Sequence, residues 1–248
     1  MRSTAHDNEF TASLKSARRT LVLLLAGMVL MLLLPSASIA QINAYLPLHM
    51  ALETGAIIAA AMIFVMGWHT ISIRPNYRLL VMACCFLGVA LLDFAHMIFF
   101  EGMPRVVDLG SPDIGINFWL AGRVMALAAM TAYVVLPRTF PDAPRRWLMV
   151  SSVLLAVVLI NIWFLFFPQY VPTTYDSETG LTWFKVITEL VLATAFAACA
   201  FVLWQRSQSQ GHKEVLDLAL ACAVMACSEI FFAIYRSLDD VYALAGHL

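Results

Sequence analysis

His49 and Glu53 stand four residues apart, and Asp93 and His96 three apart, each pair inside a long apolar run. On a helix, spacings of three and four place two side chains on one face, so each run presents an imidazole and a carboxylate together. Imidazole nitrogen with carboxylate oxygen suits zinc, copper or iron, which makes His49, Glu53, Asp93 and His96 candidate metal ligands. Two histidines on facing helices can instead hold a haem from both sides. Neither pair has the HExxH order of a zinc hydrolase, so no particular metal chemistry is singled out. Arg123 adds a guanidinium whose two-pronged geometry matches carboxylate or phosphate and points to an anionic or polar organic ligand. Glu189, four residues after Lys185, and Glu229 extend the ionisable set, with His247 a candidate at its rim. The candidate ligand-binding residues are therefore His49, Glu53, Asp93, His96, Arg123, Glu189, Glu229 and His247. Ion pairs that only fix helix packing are the alternative: Arg123 with Asp93 or Glu53, and Lys185 with Glu189. Lys185 near an interface can also snorkel. Polar contacts that merely join membrane helices are usually hydroxyls and amides, and two histidines with four carboxylates exceed that need.

The elements that must carry these residues are membrane spans. Hydrophobic residues make up 62% of the 248 residues and charged ones 12%, with a mean hydropathy of +0.82, well outside soluble-domain composition. The fold expected is an all-α polytopic transmembrane helix bundle. A net charge of -1 excludes a concentrated basic face for nucleic acid. The five cysteines fall in apolar runs without CxxC spacing and are expected to pack as small hydrophobes. Runs near the length of about 20 residues that a bilayer requires place seven spans at 20–40, 46–71, 77–100, 118–137, 146–167, 182–204 and 215–234. Residues 1–19 are polar and expected as a disordered cytoplasmic tail. The first span also resembles a signal peptide, with Arg18 and Arg19 before a leucine run and small residues at Ser36 to Ala40. Its length and the topology favour an uncleaved anchor.

Basic residues mark cytoplasmic loops. Lys15, Arg18 and Arg19, then Arg74 and Arg78, Arg138, Arg145 and Arg146, and Arg206 with Lys213 put the N-terminus and every second loop inside. The alternate loops carry Arg105 against Glu101, Asp108, Asp113, Asp176 and Glu178. On this topology His49, Glu53, Asp93, His96, Arg123, Lys185, Glu189 and Glu229 all lie toward the outer face. Charge in hydrocarbon is costly, so such a cluster marks a functional site. Seven crossings from an inside start leave the C-terminus outside, so an eighth helix is expected beyond Leu248. No span has a clear GxxxG face, and a homodimer remains open.

Several strings recur in a known family: Asp93-Phe94-Ala95-His96 followed by Gly102-Met103-Pro104, Trp119-Leu120-Ala121-Gly122-Arg123, Ser228-Glu229-Ile230-Phe231-Phe232, and Gly246-His247. From about His49 to Leu248 their order resembles the membrane-associated sensor domain of the third MASE type. The resemblance implies an N-terminal sensor in the bacterial inner membrane, joined to a cytoplasmic diguanylate cyclase, cyclic-di-nucleotide phosphodiesterase or histidine kinase. It also implies that Gly246-His247 opens a last helix leading to that module. No nucleotide-binding string is present, so enzymatic activity is expected of a separate output domain rather than of these residues. The function expected is sensory input: an unidentified small ligand or ion enters an outward polar pocket and shifts helix packing. Two other classes fit an intramembrane polar set, a small-solute transporter and a metal- or haem-binding redox or hydrolytic protein.

Overall fold

The structure, a computed structural model of the chain, describes residues 2–33, 45–73, 75–100, 112–137, 146–176, 180–235 and 240–247. Eight helices follow one another: α1 (Arg2–Leu32), α2 (Tyr45–Ile73), α3 (Tyr77–Phe99), α4 (Pro112–Val135), α5 (Arg146–Phe166), α6 (Trp183–Gln210), α7 (Lys213–Ile234) and α8 (Val241–His247). Between α5 and α6 come a 3-10 turn at Pro168–Tyr170 and a hairpin of β1 (Tyr175–Asp176) and β2 (Gly180–Leu181), with Tyr175 opposite Leu181.

Local sequence sets the helix starts. Asn76 precedes α3, and its side chain accepts a hydrogen bond from the Leu79 N–H at 3.4 Å. Thr182 does the same for α6 through Lys185 N–H. Pro112 occupies the first position of α4, with Asp113 beside it at the positive end of the helix dipole.

Six of these helices, α2 to α7, are long and apolar enough to cross a bilayer, and the chain is a multi-pass membrane protein. This corrects the expectation of seven spans within the chain: six are found among the described residues. Helix α1 begins at Arg2, so residues 2–19, expected as a disordered tail, are helical. Its charged residues Lys15, Arg18 and Arg19 leave an apolar stretch from Thr20 to Leu32, roughly 20 Å of rise against a hydrocarbon core of about 30 Å. Residues 34–40 of the expected first span, with its small-residue pattern, lie outside the described residues. So do Gly102-Met103-Pro104 and the loop charges Arg74, Glu101, Arg105, Asp108, Arg138, Arg145 and Glu178. Gly246 and His247 lie in α8, which begins at Val241, so they do not open that helix.

Helix α3 is the most buried of the six spans, packing against α2, α4 and α5. Helix α4 also packs on α6, α6 on α7, and α7 on α1 and α8. Because α8 also touches α2, it lies across the seam between α2 and α7. Leu192, Phe196 and Leu203 of α6 meet Ala129 of α4 and Ala219 and Cys222 of α7 in the main apolar core. All five cysteines are free, and all but Cys85 are buried. The outer faces of α2, α5 and α6 expose large apolar side chains such as Met66, Leu155 and Phe201, as a lipid-facing surface does. At the end where α3 begins and α4 ends, Arg78 and Arg206 donate to the Leu136 and Val134 carbonyls, satisfying groups that the α4 C-terminus leaves open.

Candidate functional site

The opposite end holds the ionisable side chains. The first turns of α2 bring His49 and Glu53, the last turns of α3 bring Asp93 and His96, and α4 brings Arg123 from about its middle. The start of α6 adds Lys185 and Glu189, the end of α7 adds Glu229, and α8 adds His247. The seven spanning-helix residues other than Arg123 are at most 4% exposed, and Arg123 is 9% exposed. Burial of this many charges is tolerable only if they meet partners.

They meet in three linked groups. In the first, ligand-capable atoms of His49, Glu53, His96 and His247 all lie within 4.8 Å of one another. His247 Nε2 is 2.8 Å and His96 Nε2 is 3.6 Å from Glu53 Oε1. The His96 Nδ1–H donates to the Gly115 carbonyl at 2.7 Å, and the His247 Nδ1–H to the Ala243 carbonyl at 2.9 Å. A carbonyl oxygen only accepts, so Nδ1 carries the proton in both rings and Nε2 of the neutral imidazole is a lone pair. Phe100 stacks on His49 at 4.0 Å between centroids. Trp119 lies almost parallel to the His247 ring, 12° apart at 5.2 Å.

In the second group Arg123 Nη2 donates to Asp93 Oδ2 at 3.0 Å, and its guanidinium lies 4.0 Å over Trp119. The close approach depends on Gly122, where a Cβ would stand 2.6 Å from Asp93 Oδ1. In the third, Lys185 Nζ is 2.9 Å from Glu189 Oε1, donates to the Phe232 carbonyl and sits 4.4 Å from the Tyr235 ring centre. Glu229 neighbours Glu189 and the cations Arg123 and Lys185. Trp119 joins the first two groups, and Phe232, 4.5 Å from Trp119 between ring centres, joins them to the third.

Two cavities open on these groups. One of about 30 Å³, large enough for a water or an ion, is bordered by His49, His96, Phe100, Trp119, Lys185 and His247. The other, about 220 Å³, lies at the seam of α2 and α7, where Glu53, Trp119, Arg123, Ser228 and His247 meet Leu24 of α1. Trp119 Nε1 and Arg123 Nε are buried without a hydrogen-bond acceptor among the described residues, which leaves donors for a polar guest.

Of the eight candidate residues His49, Glu53, His96, Arg123 and His247 border these two adjoining cavities, together a polar chamber, and Asp93, Glu189 and Glu229 adjoin it through Arg123 and Lys185, a different pairing from that read in the sequence. Asp93, grouped with the metal ligands from its spacing to His96, faces Arg123 instead. His247, placed at the rim, takes a position in the ligand group. Lys185 does not snorkel, being 1% exposed. Trp119, outside the candidate set, is buried at the centre. Its spacing of four to Arg123 is the signal that marked it. Phe100 and Phe232 carried no such signal, since phenylalanine is common throughout these runs.

A family model described as a membrane-associated sensor domain matches residues 40–248. No curated protein and no solved structure matches the chain.

Proposed function

The chain belongs to MASE3, a family of membrane-associated sensor domains, and from that premise we propose that it is the sensory input part of a bacterial inner-membrane signalling protein. A small ligand or ion is detected in the chamber at the outer end of the bundle, and its occupancy regulates a cytoplasmic module for cyclic-di-GMP turnover or protein phosphorylation. The convergence of buried ionisable side chains from six helices on one chamber carries this reading. Groups so expensive to bury belong to a working site when they gather beside a cavity. The N-terminal side is cytoplasmic in this reading, because the basic residues Lys15, Arg18, Arg19, Arg78 and Arg206 lie toward the end away from the chamber.

A guest biases the output only by binding two arrangements of the bundle unequally. The chamber suits that purpose because α8, α2 and α3 meet in it, and a guest binding all three helices favours the arrangement that holds them together. The test is to place His96→Gln and Arg123→Gln separately in the signalling protein that carries this domain and to measure its output with membrane abundance as control. Altered basal or stimulated output in either variant is expected. Wild-type output from both at equal abundance refutes the reading.

A further inference from the structure

The first group of side chains has an electrostatic problem that names its guest. His247 Nε2 and Glu53 Oε1 face each other at 2.8 Å, yet the His247 proton is already committed to the Ala243 carbonyl through Nδ1. Two lone pairs at that distance repel unless something positive lies between them. His96 repeats the arrangement, with Nδ1 committed to Gly115 and Nε2 turned to the same carboxylate oxygen. His49 Nε2 is buried with no hydrogen-bond partner among the described residues. Three imidazole nitrogens and one carboxylate thus converge with their lone pairs.

Charge balance in the chamber points the same way. Glu53, Asp93, Glu189 and Glu229 are buried alongside two basic side chains, Arg123 and Lys185. Asp93 is matched by Arg123 and Glu189 by Lys185, while Glu229 neighbours both cations. Glu53 remains, with imidazoles as its neighbours at ion-pair distance and Arg123 farther off across the cavity. One proton on one ring would answer one lone pair. A metal cation answers three nitrogens and the carboxylate at once.

Resting on the sensory reading above, we propose that His49, Glu53, His96 and His247 form a binding site for a divalent first-row transition metal, with zinc the reference ion. Three nitrogens and one oxygen suit zinc, copper, nickel or iron and disfavour calcium and magnesium, which take oxygen ligands. Bonds of about 2.0–2.1 Å in a tetrahedral shell set ligand atoms roughly 3.3 Å apart, so the group, within 4.8 Å throughout, closes on the ion by small side-chain movements. The Nδ1–H bonds to Gly115 and Ala243 are the outer contacts that aim a ligating imidazole. Trp119 and Phe100, stacked on the rings, wall the group with apolar surface.

The ligands also say what the ion does mechanically. His49 and Glu53 belong to α2, His96 to α3 and His247 to α8, so the metal ties α8 across the seam to the α2–α3 pair. Without it, α8 is held by its packing on α7 and α2 and by the Ser228 hydroxyl, which donates to the Gly246 carbonyl.

The experiment uses the purified chain in nanodiscs, stripped with chelator and titrated with Zn²⁺ alone, with Co²⁺ in parallel. Near one Zn²⁺ per chain by elemental analysis, visible Co²⁺ absorption of a nitrogen–oxygen tetrahedral site, and a higher unfolding midpoint with Zn²⁺ are expected. Losing an outer-shell partner costs roughly 10–100-fold in metal affinity, so His247→Ala, which removes a ligand, is expected to weaken binding by more than that. Glu214→Gln, in the first turn of α7 at the far end of the bundle, is expected to bind as the wild type does. His247→Ala is the informative variant, because it alters the exposed side of the cluster and leaves α2 and α3 intact, and its fold is checked by circular dichroism. No stoichiometric Zn²⁺ in the wild type, or equal affinity in folded His247→Ala and His96→Gln, overturns the site. If metal fails to bind while chamber variants still alter signalling, the metal inference falls and the sensory reading stands. If metal binds while every chamber variant signals normally, the sensory reading falls and a structural metal remains.

Discussion

Removing Arg123 is expected to cost the fold more than removing the charge of Asp93. The two side chains form one buried pair, with Nη2 and Oδ2 3.0 Å apart and side-chain exposures of 11% and 1%. Their other neighbours differ. Arg123 also interacts with Glu229 and Glu53, both opposite in sign, so a guanidinium deprived of Asp93 still has anionic company. Asp93 has Glu53 among its other neighbours, like in sign, with His96 the compensating group. Taking away one partner of a buried pair costs about 3–5 kcal/mol when the remaining charge is left without an ion-pair partner, and Arg123→Met leaves Asp93 with only His96 to offset Glu53. Asp93→Asn keeps an amide oxygen able to accept from Arg123, so a loss of about 1–2 kcal/mol is expected. The difference, about 1–4 kcal/mol, is at least roughly fivefold in the folding equilibrium. Reversible unfolding of the purified protein in mixed detergent micelles, followed by circular dichroism, measures both losses. The double variant is expected to lose less than the sum, since it removes the orphaned carboxylate as well. Equal losses, or a larger one for Asp93→Asn, would refute this account of the chamber's charges.

Gly122→Ala places a methyl 2.6 Å from Asp93 Oδ1, and a loss of about 1–3 kcal/mol with weaker Asp93–Arg123 coupling is expected in the same unfolding assay. Gly246→Ala puts a Cβ 2.5 Å from Phe232 Cζ, which lifts α8 from α7; Zn²⁺ affinity by titration is expected to fall while the α2 and α3 ligands are untouched. Thr182→Ala removes the acceptor for Lys185 N–H at the start of α6, and a cost of about 1 kcal/mol in thermal or detergent unfolding is expected.

The spans could be read in the sequence because hydrocarbon imposes length and apolarity on each segment separately, and α2 to α7 begin and end close to the apolar runs. Helix α1 broke the pattern because its polar half is helical too, and hydropathy says nothing of a helix outside the bilayer. Depth was equally legible: rise per residue alone sets His49, His96, Glu189 and Glu229 toward one end. Rotation and neighbour order were not. Asp93 and His96 share a face of α3, yet Asp93 turns to α4 because Gly122 offers it a recess beside Arg123, a fact held in a different helix. The place of His247 depended on α8 lying over the α2–α7 seam, which no periodicity in a seven-residue helix could announce.

Asp113, in the first turn of α4, accepts through Oδ1 from the backbone N–H of Thr174 at 2.6 Å and of Tyr175 at 3.1 Å, and from the Thr174 hydroxyl. Asn117 one turn later donates to the Pro172 carbonyl at 3.3 Å. The segment joining α5 to α6 is thereby stapled to the helix that supplies Trp119 and Arg123. Its backbone freedom is surrendered when the chain folds, not when a guest arrives, so entry into the chamber freezes little of that segment and selectivity there reflects the fit of the guest.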